Sequence, residues 1–88
     1  MGTVVPFSAA KAGSRPKRLR LQPVDSSAVE AIGYNGHERL LDIRYPSGEV
    51  YRYFDVSPQR HRALLEAESI GRYVNEHIKP NYRFEKLN

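Results

Sequence analysis

Between Ala28 and Phe54 the chain is interrupted twice by turn-forming residues, Asn35-Gly36 and Pro46-Ser47-Gly48, and each interruption is flanked by short β-leaning runs. Asn-Gly between apolar residues is a strong short-range hairpin signal, and a Pro-Ser-Gly cluster ends a strand because proline cannot donate to a ladder and glycine tolerates positive φ. The first run is Ala28 to Tyr34. The second is Leu40, Leu41, Ile43 and Tyr45 interleaved with Asp42 and Arg44, and the third is Val50-Tyr51-Arg52-Tyr53-Phe54. This order predicts a three-stranded antiparallel meander.

The period then changes. Ser57 supplies a helix N-cap and Pro58 the first helical position, where a missing N–H costs nothing. His61, Leu64, Leu65 and Glu68 fall at helical spacing, so Leu64 and Leu65 are expected to face the sheet, with Gln59, Arg62 and Glu66 toward water. Ser69 can cap a second helix whose stripe is Ile70, Tyr73, Val74, His77 and Ile78, ended by Pro80. The tail alternates Tyr82 and Phe84 with Arg83 and Glu85, so it either returns as a short strand or packs against the sheet. The expected class is α+β: a three-stranded meander followed by two α-helices packed on one face, with a disordered N-terminal arm.

Residues 1–23 form that arm and residues 24–88 the single domain. Pro6, Pro16 and Pro23, Gly2 and Gly13, and a basic run give the arm too little apolar surface to offset the entropy of ordering. Leu19 and Leu21, alternating with Arg18 and Arg20, leave an edge strand there as the alternative. Charge divides at the same place. The chain carries a formal +4, yet Lys11, Arg15, Lys17, Arg18 and Arg20 all precede the first acid, Asp25, leaving nine basic and ten acidic residues in the domain. A footprint for phosphates therefore belongs first to the arm, which reads equally as a solubilising tail or as a contact for nucleic acid or an acidic protein.

With 88 residues and no cysteine, neither a disulfide framework nor a thiolate metal site can support the core, and a deep catalytic cleft is not expected. His37, His61 and His77 are too scattered for a metal motif, though antiparallel helices would bring His61 near His77. Ser26, Ser27, Ser47, Ser57 and Ser69 all have turn or cap explanations, so the chain reads as a non-enzyme without a cofactor. No apolar run approaches a membrane span and the start lacks secretory-signal order, so a cytoplasmic monomer or weak dimer is expected.

Ser27, Ala31-Ile32-Gly33-Tyr34, Leu41, Ile43, Ser47-Gly48, Val50-Tyr51-Arg52-Tyr53 and Val56 resemble the KTSC domain, a family named for the C-terminus of some lysyl-tRNA synthetases and marked by a YxY motif. Ala67, Ser69, Gly71-Arg72-Tyr73, Asn75, Ile78 and Tyr82 resemble its closing pattern. Ile70 and Val74 depart from it, standing where the family often has lysine and phenylalanine. The resemblance implies a small bacterial protein with no established activity. The synthetase attachment suggests RNA.

Tyr51 and Tyr53 share one strand face and Arg52 the other. Either the two rings form a stacking platform for bases, with Arg44 or Arg52 near phosphates, or both pack beneath the helices. Register decides, and a one-residue change in the Pro46–Glu49 turn would reverse the faces relative to Ile43. Arg72 is an anion-binding candidate, and Lys17, Arg18 and Arg20 are the arm's contribution. The leading expectation is a non-enzymatic binding module with RNA as ligand; the alternative is a protein-interaction module with a solubilising basic tail.

Overall fold

The structure, a computed structural model, describes residues 18–88. Its strands are β1 (Gln22–Pro23), β2 (Ala31–Asn35), β3 (Leu40–Arg44), β4 (Val50–Phe54) and β5 (Phe84–Lys86). They form one antiparallel sheet in the order β1-β2-β3-β4-β5. Helices α1 (Pro58–Glu66) and α2 (Ile70–Tyr73) lie between β4 and β5, and α2 continues through a wider turn, Val74–Ile78.

The expected meander is present as β2, β3 and β4, but the sheet has five strands, not three. The two additional strands are edges of two and three residues, one just after the Leu19/Leu21 alternation and one within the tail, the two places where the sequence leaves an extra strand as the open alternative. β1 ends in Pro23, whose missing N–H is tolerated only at an edge. It also brings the end of the stretch read as arm into the sheet; residues 1–17 lie outside the described residues. β5 takes the free edge of β4, the return that the Tyr82/Phe84 alternation allows.

Two turns set the register. Asn35 pairs with Leu40, so the first loop is Gly36–Arg39, longer than the two residues an Asn-Gly pair needs. The Asn35 Oδ1 accepts from the Glu38 N–H, and Arg39 closes the loop at φ 59°. In the second, the Gly48 N–H donates to the Tyr45 carbonyl and Gly48 sits at φ 95°, a conformation that glycine adopts without strain.

That second turn pairs Ile43 with Tyr51 and Leu41 with Tyr53, which puts both tyrosines on the face that carries Ile32, Leu41 and Ile43. Leu64 from α1 and Val74 and Ile78 from the α2 segment complete the core there, with Val29 and Val56. Ser57 caps α1 by accepting from the Arg60 N–H, and Ser69 caps α2 by accepting from the Arg72 N–H. Leu65 departs from expectation: Leu64 is fully buried and Leu65 is 46% exposed. Neighbouring residues are about 100° apart around a helix, so with Leu64 turned to the sheet Leu65 swings out to the side of the buried face.

Candidate functional site

Tyr51 and Tyr53 project from β4 toward the helices, and Phe84 projects beside them from β5, directly opposite Tyr53. Tyr45 closes the arrangement from the end of β3. Its ring meets Tyr51 edge-on at 5.8 Å, while Phe84 tilts against Tyr51 at 5.6 Å and against Tyr53 at 5.9 Å. Tyr53 is buried, Tyr45 and Tyr51 are half-buried, and Phe84 is 54% exposed. Between them opens a cleft of about 380 Å³, completed by Glu49 and Lys79.

The electrostatics of this cleft are mixed. The Tyr45 and Tyr53 hydroxyls share a hydrogen bond of 2.8 Å, and burial pushes both phenols above their ordinary range, so both stay neutral. Lys79 lies 5.2 Å from the Tyr45 ring centroid, within cation–π range, and has no carboxylate partner among the described residues. Lys86, opposite Tyr51 in the ladder, reaches the Glu49 Oε2 at 3.1 Å. The result is a wall of aromatic faces with an ammonium and an ion-paired carboxylate at its rim.

The other residues singled out by sequence do not converge here. Arg44 and Arg52 sit one step from Ile43 and Tyr51 and so point to the opposite face. Arg44 pairs with Glu30 at 3.0 Å. Arg52 is 1% exposed and grips Asp42 through Nε at 2.8 Å and Nη2 at 2.9 Å, contacts that hold it charged. Arg72 is exposed, 3.5 Å from Glu76, and lines a separate polar hollow with Asp25, Ser26 and Ser69. Arg18 and Arg20 are exposed, and Lys17 lies outside the described residues. His61 stacks on Tyr34 at 4.2 Å and His77 tilts against Tyr73 at 4.6 Å, so each has its own aromatic partner.

Sequence reasoning misses Lys79, Lys86, Glu49 and Phe84 as members of one site, because the pairing of β5 with β4 brings in Phe84 and Lys86, the turn before β4 brings Glu49, and the end of the α2 segment brings Lys79. It also misses Arg60, which donates to the Tyr82 hydroxyl at 3.1 Å and the Tyr73 hydroxyl at 3.0 Å, tying the segment that leads into β5 to α1. The only signal for it is that Tyr73 and Tyr82 both lie in the closing pattern of the resemblance.

Comparisons with known proteins fit this architecture. The KTSC domain family matches residues 25–82. A protein of Tsukamurella paurometabola is 48% identical over 63 residues, spanning 72% of this chain and 94% of its own length. A lysine–tRNA ligase of Nostoc punctiforme is 35% identical over 63 residues, 72% of this chain and 11% of the ligase. The crystal structure of a KTSC domain protein from Yersinia pestis superposes with a TM-score of 0.76 at 31% identity, covering 81% of this chain and 100% of that one. Matched over most of its described length in sequence and in fold, the chain belongs to the KTSC domain family.

Proposed function

We propose that the protein is a non-catalytic binding module whose aromatic cleft accepts a base of single-stranded RNA. The observation that carries this reading is the half-open wall of Tyr51 and Phe84 with Lys79 and Lys86 beside it. Phe84 exposes half of an aromatic ring, next to cations that can meet a phosphate, and base–aromatic stacking contributes about 1–3 kcal/mol per base. The lysine–tRNA ligase relative carries a similar segment in a protein that acts on tRNA. Ser26, Ser57 and Ser69 accept hydrogen bonds from backbone N–H groups, roles that favour a structural over a nucleophilic use.

The test is an amide-shift titration of the full chain with short single-stranded RNA. Shifts at Tyr51, Lys79 and Phe84 are expected, and Phe84→Ala should weaken binding by about 1–3 kcal/mol with little change in the melt, since the ring is half exposed. Shifts confined to residues up to Arg20 would assign the affinity to the arm. No shift at all would return the exposed Phe84 and Leu65 to the protein-interaction alternative.

A further inference from the structure

Ring faces stack on any base, so discrimination in such a cleft must come from the polar groups at its rim. Two are available. Glu49 is 46% exposed along its side chain, and Lys86 holds its Oε2 at 3.1 Å, which steadies the carboxylate and leaves Oε1 able to accept. Lys79 provides an ammonium that has no carboxylate partner among the described residues. The Tyr45 and Tyr53 hydroxyls are engaged with each other and contribute less.

We infer that this cleft prefers guanine among the bases; the inference rests on the base-binding reading above. A carboxylate is a pure acceptor, and the pairing edge of guanine offers two adjacent donors, N1–H and N2–H, with the acceptor O6 beside them. Glu49 can take both donors, one on Oε1 and the other on Oε2 alongside Lys86, while Lys79 donates to O6. Adenine and cytosine each place an unprotonated ring nitrogen beside their single amino donor, so a lone pair would face the carboxylate. Uracil flanks its one N–H with two carbonyls, and one of these would face Glu49. Only guanine matches an acceptor pair next to a cation without a repulsive contact. The Lys86 pair is a surface interaction that contributes little to stability, so Glu49 can be altered without loss of the fold.

The full chain is titrated at constant salt with the RNA pentamers UUGUU, UUAUU, UUCUU and UUUUU, followed by amide shifts. UUGUU is expected to bind about tenfold tighter than the others, in line with one well-formed pair of hydrogen bonds to a base edge. Glu49→Gln replaces a pure acceptor with a group that also donates; it should abolish the preference while shifts persist at Tyr51 and Phe84. Lys86→Met removes the ion pair but keeps the carboxylate, and should retain the preference. Equal affinities with cleft shifts would overturn the guanine inference and leave the stacking reading standing. A preference that survives Glu49→Gln would overturn it too. Absence of cleft shifts with every pentamer would overturn both.

Discussion

Asp42 and Arg52 stand opposite each other on β3 and β4, both 1% exposed, on the sheet face the tyrosines do not use. A buried pair contributes little relative to apolar residues of the same shape, but removing Asp42 takes from the buried guanidinium the carboxylate that its Nε and Nη2 grip. Asp42→Ala is therefore expected to cost about 3–5 kcal/mol, and Asp42→Leu combined with Arg52→Met much less, as denaturant melts would show. His61 gives a second test. Burial against Tyr34 lowers its pKa below the ordinary value of about 6.5, so the folded state favours the neutral ring. Its stabilisation is present above that value and is lost as pH falls from there through the lower folded value. Melts at pH 7.5 and 5.5 should show a loss on acidification that is smaller in His61→Phe, which keeps the stacked ring without the titration. Both residues show what a sequence conceals. Alternation puts Arg52 opposite Tyr53, but which of them enters the core depends on the residue count of the Tyr45–Glu49 turn, and that is a property of the folded ladder.

At the level of elements, β2, β3, β4 and α1 were legible because each carries its own punctuation: Asn35-Gly36, Pro46-Ser47-Gly48 and Ser57-Pro58. β1 and β5 carry none, and they exist because β2 and β4 offer unpaired edges. The cleft inherits that blindness, since Phe84 reaches it from β5. β1 is also packed from one side. A Cβ at Gly33 would stand 2.6 Å from the Arg20 carbonyl oxygen and 2.7 Å from the Leu21 side chain, so backbone crosses the sheet there in contact with bare glycine. Gly33→Ala should cost about 1–3 kcal/mol and speed amide exchange around the β1–β2 pairs more than in β3 and β4. Uniform acceleration across the sheet would show instead that β2 itself had been distorted.

Across the whole molecule, charge and aromatic surface are separated along the sequence. Five of the fourteen basic residues precede Asp25, and the rest of the chain is close to neutral. Salt sensitivity and base stacking should therefore be separable in the proposed RNA binding. Replacing Lys17, Arg18 and Arg20 with glutamine in the full chain should reduce the slope of log affinity against log salt by up to about 2, at about 0.7 per lost phosphate contact, while the Phe84 shifts persist. A slope left unchanged would place the phosphate contacts on the domain and not on these arm residues. The Arg60 bridge bears on this at a distance. Tyr82 is tied to α1 only two residues before Phe84, and beyond it come three ladder pairs, the Leu87 N–H on the Val50 carbonyl, and the Asn88 amide, which accepts from the Val50 N–H and donates to the Gly48 carbonyl. An edge strand, paired with one neighbour only, frays before the rest of the sheet melts. The Phe84 side of the cleft then opens and closes as β5 leaves β4, with the guanidinium acting as the latch and the residence time of anything bound there set by how often the latch releases.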